Sequence, residues 1–321
     1  MIHVDTSAAG GTLMPDAGKM PACDVNSALA SLPVWSLPPT GPQRIVCLTE
    51  ETTEWLYLLG QEHRIVGISG YTVRPARARH DKPRVSAFTS AKLDKILALQ
   101  PDCVLGFSDM QADIAAALIR AGVQVTVFNQ RSVAQILDML FQVAAMVGQG
   151  DQGRVLIQKM EQGMQAAQGL AANLACRPKI YFEEWDVPPI SAIQWVSELI
   201  GIAGGDDIFP ELAAQSLGKH RIIADSAEIV RRNPDIIIGS WCGKKFRPDN
   251  VAARAGWSEV AAVKTGQLFE IKSCDILQPG PAALTDGLAQ LQRIILNWHQ
   301  NVPAASTPAQ VAQPVGAGAP E

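Results

Sequence analysis

Three short stretches concentrate side chains suited to chemistry. "RIVCLTEE" ends on Glu50 and Glu51, "KIYFEEWD" on Glu184, Trp185 and Asp186, and "DIIIGSWCGKKF" on Trp241, Cys242, Lys244, Lys245 and Phe246. Further candidates are Tyr71 after "RIVGISG", Phe88, Phe107 with Ser108, and Lys219, His220 and Arg221 in "QSLGKHRI". Three chemistries fit these types. Aromatic planes with polar edges suit a large flat ligand, whose amides or phosphates would meet the carboxylates of Glu50, Glu51, Glu184 and Asp186 and the cations of Arg221, Lys244 and Lys245. Those same charges are alternatively ion pairs across a gap, worth about 0–1 kcal/mol where exposed. Glu50, Glu51, Glu184, Asp186 and His220 form a candidate set for direct binding of a metal ion. Cys242 is a candidate thiol nucleophile, because a neighbouring Lys244 would lower its pKa and His220 would stand near. The five histidines are scattered. There is no G-x-S-x-G, H-E-x-x-H or P-loop, and no G-x-G-x-x-G after a strand. These points favour a non-enzymatic binding protein over the metal-ion and thiol-enzyme alternatives.

Each candidate follows an apolar run. The strands expected in the first half are 44–49, 64–69, 103–107 and 123–128, separated by helical stretches at 53–60, 90–100, 110–121 and 132–147. Continuous apolar runs alternating with helices predict a parallel, doubly wound sheet. The second half repeats the plan with strands at 179–184, 235–240 and 267–271, a helix stopped by Gly204-Gly205, and a closing helix striped by Leu284, Leu288, Leu291 and Ile295. "LDKILALQPDCVLGF" and "SAEIVRRNPDIIIGS" are two copies of one helix, Pro-Asp, strand unit. Between the halves, residues 151–176 hold no proline and are rich in Ala, Gln, Leu and Met. A helix of about 26 residues spans roughly 39 Å, longer than a sheet crossover needs. The predicted fold is α/β: two Rossmann-like lobes with parallel sheets joined by a single long α-helix. The expected boundaries are an N-terminal arm at 1–42, disordered or draped, a first lobe at 43–148, a connecting helix at 149–177, a second lobe at 178–300 and a disordered tail at 301–321. Ligands of such sheets bind beyond the carboxyl ends of the strands, where the candidate residues fall.

The bulk composition restricts the partners. A net charge of −4 gives no electrostatic case for nucleic acid, and no apolar run is long enough to span a membrane. The six cysteines lie far apart, without C-x-x-C, which argues against a zinc ribbon or a redox pair. The opening residues lack a basic start and an apolar core. As written, they predict a cytoplasmic chain, here expected to be a monomer.

The order "RIVCLTEETTEWLYLLG", "RIVGISGYTVRPARA", "VSAFTSAKLDKILALQPDCVLGF", "WVSELIGIAGGDDIF" and "SAEIVRRNPDIIIGS" resembles the class III, helical-backbone substrate-binding proteins of ABC importers for cobalamin, siderophores and haem. The likeness covers roughly residues 43–298 and is nearest the cobalamin-binding branch. It implies two lobes with little hinge closure, and a metal chelate, cobalamin or a related corrinoid, in the cleft between them. The chelate would not be a covalent cofactor, and an ABC importer permease would be the partner. Siderophore and haem are the alternatives. By motif, Tyr71 matches the family's tyrosine after the second strand, Phe88 and Phe107 match tryptophan positions of the first lobe, and Trp185 and Trp241 fall near the second lobe's aromatic. The resemblance also implies importer-docking carboxylates seven residues before each Pro-Asp proline. Asp94 sits there in the first copy. In the second that place is Ala227, and Glu228, one residue later, shares a D-x-x-E capping box with Asp225. Where the family carries Ser-Pro after the first strand, this chain carries "TEE", and the added carboxylates disfavour an anionic siderophore. Family membership implies a periplasmic chain if a leader once preceded it; without one, the chain is a carrier, store or sensor inside the cell.

Overall fold

In the computed structural model, residues 41–301 are described. The arm expected at 1–42, apart from its last two residues, and the tail beyond Asn301 lie outside them.

The first lobe is a parallel sheet with strand order β3-β2-β1-β4-β5. Its strands are β1 (Ile45–Cys47), β2 (Ile65–Ser69), β3 (Arg84–Ser86), β4 (Cys103–Phe107) and β5 (Val125–Phe128). Alternation along them divides the apolar residues between two faces. Ile45, Cys47, Cys103 and Leu105 enter the central core, whereas Val46, Leu48 and Val104 enter a smaller outer cluster. The second lobe holds β6 (Lys179–Asp186), β7 (Pro189–Ser191), β8 (Asp206–Asp207), β9 (Ile236–Gly239) and β10 (Leu268–Glu270), in the order β10-β9-β6-β7 with β8 also on β6. β6, β8, β9 and β10 pair in parallel, but β7 returns antiparallel to β6. That hairpin departs from the all-parallel expectation. β3, β7 and β8 are two or three residues long, too short to show a hydrophobic period.

The connecting helix runs from Gly150 to Ala171, about 33 Å at 1.5 Å per residue. It buries Gly153, Met160, Met164, Ala167 and Ala171 along one stripe. Near its start Gly153 lies against Ala144, and near its end Ala171 lies against Gly204. Gly204 ends the helix Gln194–Ala203 at φ 99°, a left-handed cap that needs glycine.

The two lobes are not merely held apart by this rod. One continuous core joins the inner faces of both sheets, the connecting helix and the closing helix Leu288–Asn301. Residues 273–287, just before the closing helix, pack back onto the first lobe: Gln130 Nε2 donates to the Pro279 carbonyl at 3.2 Å. Arg74 donates to Glu54 at 2.8 Å, to Asp275 at 3.1 Å and to Asp286.

Candidate functional site

β1 occupies the centre of the first sheet, with β2 on one side and β4 on the other. In an open sheet, the crevice beyond the carboxyl ends at this reversal of strand order is where ligands bind. The helix Glu50–Leu58 starts there. Its start lies three residues before the expected 53, so Glu50 and Glu51 stand in the first helical turn and not in a loop. A helix start favours negative charge, and each residue's own backbone N–H partly offsets the cost of ionising its carboxyl. Thr49 Oγ1 donates to Glu51 Oε1 at 2.6 Å. Both residues are buried, Glu50 at 8% and Glu51 at 1% exposure. Burial pushes the carboxyls up to about 7 and about 8. The expected pairing of these carboxylates with Arg221, Lys244 or Lys245 does not occur. No Lys or Arg among the described residues lies within ion-pair reach of either.

Gln111 ties the strand ends together. Fully buried, it accepts from Phe107 N at 2.9 Å and donates to the carbonyls of Phe88 at 2.9 Å and Leu48 at 3.5 Å. Phe88 and Phe107 meet with ring centres 6.3 Å apart. Phe88 is half-buried, while Phe107 is only 5% exposed. The Arg131 guanidinium covers the Phe107 ring at 4.8 Å. Tyr71 is the open aromatic of this lobe, 59% exposed, on a turn where Ser69 Oγ accepts from Tyr71 N at 3.2 Å.

The second lobe differs from expectation. Trp241 is 5% exposed and packs with Phe246 and Tyr181 in a cluster on the sheet's outer face. Its indole N–H donates to Glu183 Oε1 at 3.1 Å. Glu183 has no exposure and also accepts from Tyr181 Oη at 2.9 Å and from both Arg254 Nη atoms at 2.6 and 2.9 Å. Strand parity explains this. Tyr181 and Ile237 point outward while Ile180, Phe182, Ile236 and Ile238 point inward, and Trp241 continues the series of Ile237. Trp185 is half-buried against the same outer cluster. Its indole donates to the Val187 carbonyl at 2.9 Å. Lys244 pairs with Asp186 and lies 5.7 Å from the Trp185 ring centre and 5.1 Å from that of Trp241. Arg221 is 1% exposed, and its guanidinium is held by Glu184 and the Ser191 carbonyl. The second-lobe cations and tryptophans are therefore engaged within their own lobe.

Cys242 marks where the lobes face each other, since the carboxylates of Glu184 and of Glu50 both act on it. Although the residue as a whole is exposed, desolvation of its thiol first, then those two charges, raises it above the ordinary value. With Lys244 turned to Asp186, the expected lowering is reversed and the thiolate is disfavoured at neutral pH. The five-residue cation set is also dispersed. Glu184 serves Arg221, Asp186 serves Lys244, and His220 is exposed on a short turn. Among the described residues no group of three or more His, Cys, Asp or Glu is placed to hold a metal ion.

Two groups escaped the sequence reasoning. Arg131 follows β5, reaches the Ser216 carbonyl at 3.4 Å across the gap, and lies 3.8 Å from Asp109. Arg74 joins three carboxylates drawn from both halves of the chain. Position at the end of β5 was an available signal for Arg131; nothing local announces Arg74. Asp94 is exposed in the helix Leu93–Ala98. Glu228 is paired with Arg231 at 2.6 Å and Arg232 at 2.8 Å. The expected capping box is not formed: Asp225 Oδ1 accepts from Ala227 N at 2.9 Å, while the Glu228 carboxylate turns to the arginines. A depression of about 390 Å³ lined by Gly41, Pro42, Asp102, Gln124 and Met146 lies at the amino ends of the strands, away from this region.

A family model described as periplasmic binding protein matches residues 45–274, and the chain belongs to that family. It is 24% identical over 234 residues to the vitamin B12-binding protein of Yersinia pestis (strain Pestoides F), covering 71% of this chain and 79% of that one. The fold is that of the periplasmic vitamin B12-binding protein of Vibrio cholerae, with a TM-score of 0.67 at 20% identity over 82% of this chain and 100% of that one. The S. aureus protein IsdE, solved with heme, gives a TM-score of 0.67 at 20% identity over 79% and 99%. No helix among the described residues is long and apolar enough to cross a membrane.

Proposed function

We propose that this chain is a non-enzymatic binding protein for a metal chelate of the corrinoid type, cobalamin foremost. It holds the chelate between the lobes, at the carboxyl end of the first sheet, and passes it to an ABC importer permease or carries it within the cell. The observation that carries this reading is the contrast at the strand ends. Tyr71 stands 59% exposed beside a crevice whose carboxyls have no basic partner, an arrangement that folding alone does not require. A flat ring against Tyr71 and Phe88 would use their faces, and polar groups on its edge would meet Glu50 and Glu51. The vitamin B12-binding relatives support the ligand class. Calorimetric titration with cyanocobalamin tests it. Saturable binding of one ligand per chain is expected, and the absence of both heat and spectral change contradicts the assignment. Haemin in the same cell measures the alternative. Asp94 is the docking carboxylate of this proposal, and Glu228, held by two arginines, is a weaker one. Fractionation of the native cell separates delivery from the periplasm from carriage inside the cytoplasm.

A further inference from the structure

The acceptors at the end of β1 and β5 have few donors of their own. Glu51 Oε1 takes the Thr49 hydroxyl, but its Oε2 is buried with no hydrogen-bond partner. Gln130 is 3% exposed; its amide nitrogen goes to the Pro279 carbonyl and its Oε1 is also buried without a partner. These two groups abut the same segment, because a Cβ built on Gly280, next to Pro279, would lie 2.4 Å from Glu51 Cβ. Glu50 completes the group, 8% exposed and near enough to Cys242 to act on its thiol. The nearby cations are turned elsewhere: Arg74 to Glu54, Asp275 and Asp286, Arg221 to Glu184, Lys244 to Asp186, and Arg131 to the Phe107 ring, Asn129 and Asp109. Buried polar atoms are nearly always hydrogen-bonded, so paired orphans beside a crevice point to a donor that arrives with the ligand.

We propose that Glu50, Glu51 and Gln130 form an acceptor floor that selects chelates whose edge carries N–H donors, such as carboxamides, and rejects chelates whose edge carries carboxylates. This rests on the chelate-binding reading above and names the ligand property the site discriminates. A carboxamide N–H supplies what Glu51 Oε2 and Gln130 Oε1 lack. Once ionised, Glu50 and Glu51 offer only acceptors, and a ligand carboxylate, which brings only acceptors too, is opposed by their charge.

Two competition titrations at pH 9, above the values of about 7 and about 8 to which burial raises Glu50 and Glu51, test the floor. In the first, the unaltered protein meets cyanocobalamin and its monocarboxylic acid derivatives, in which one edge amide is hydrolysed. At least one derivative should bind tenfold or more weakly, the loss expected for one charge-assisted hydrogen bond. Equal binding of the parent and every derivative overturns the proposal. In the second, the Glu50→Gln/Glu51→Gln double variant, shown folded by its melting curve, is compared for cyanocobalamin against haemin. The preference for cyanocobalamin should shrink about tenfold, and an unchanged or larger preference overturns the floor. If the unaltered protein binds neither probe, the chelate-binding reading itself falls; if it binds cyanocobalamin and only these comparisons fail, that reading survives alone.

Discussion

The strand ends of the two lobes solve opposite problems with similar residues. In the second lobe the three carboxylates along the end of β6 each have a cation: Glu183 with Arg254, Glu184 with Arg221, Asp186 with Lys244. Its Trp241 is buried and spends its N–H on Glu183. In the first lobe Glu50 and Glu51 are buried without a cation, and Tyr71 projects into solvent. A self-paired surface is a wall that holds its shape whether or not a ligand is present. An unpaired one is incomplete and gains most from a ligand. On the proposed reading, the difference assigns selectivity to the first lobe and rigidity to the second.

The comparison is sharpest at its two extremes. Truncating Glu183→Ala removes a fully buried carboxylate and leaves the half-buried Arg254, the Tyr181 hydroxyl and the Trp241 indole N–H without their shared acceptor, and breaking a buried pair from one side costs roughly 3–5 kcal/mol. Urea unfolding should show that loss, and a change below about 1 kcal/mol would remove the second lobe's claim to rigidity. Trp241→Ala opens a core cavity worth roughly 3–5 kcal/mol, yet cyanocobalamin affinity should stay within about threefold when measured on the folded fraction. Tyr71→Ala reverses the pattern. Its stability should be unchanged, while affinity falls about tenfold, in keeping with about 1–1.5 kcal/mol for an aromatic contact beyond area burial.

A smaller effect tests the unpaired carboxyls themselves. Their pKa values rise on folding from the ordinary 4.5 to about 7 for Glu50 and about 8 for Glu51. The native state therefore binds more protons than the unfolded chain between those limits. The stability this pair contributes is fully present below about pH 4.5 and is lost as pH rises through about 7 and 8. Neighbouring Glu54 on the same helix titrates in the same direction, so the test is a difference between proteins. Relative to the unaltered chain, Glu50→Gln/Glu51→Gln should melt several °C higher at pH 8 than it does at pH 5. A difference independent of pH would mean that the two carboxyls are not held neutral by burial. The smallest effect belongs to Asp94→Ala, which should leave melting and ligand binding alone and, on the docking role proposed for it, lower only ligand-dependent capture by an importer permease.

Much of the scaffold is visible in the residue pattern because burial on two faces leaves an unbroken apolar signature. "RIVGIS", "CVLGF" and "DIIIGS" mark β2, β4 and β9, and the proline-free run after Gln149 marks the connecting helix. The short strand "PIS" leaves no such mark, because its pairing is set by the hairpin with β6. The site was harder. Residue types at strand ends single out Tyr71, Glu50 and Glu51 as candidates, but not which way a tryptophan turns. Inner and outer faces of β9 are equally apolar in sequence, so the outward parity of Trp241 is decided by packing on Tyr181 and Phe246. Arg74 finds Asp275 and Asp286 across 201 and 212 residues of chain, a distance over which no local pattern carries information.

The most direct test compares amide hydrogen exchange with and without saturating cyanocobalamin. Slowed exchange should concentrate in the first lobe, at residues 49–54, 69–74 and 128–131, while 183–186 and 240–246 change little. Protection confined to the second lobe's strand ends, or no protection anywhere at saturation, would contradict the division between a selective first lobe and a self-paired second.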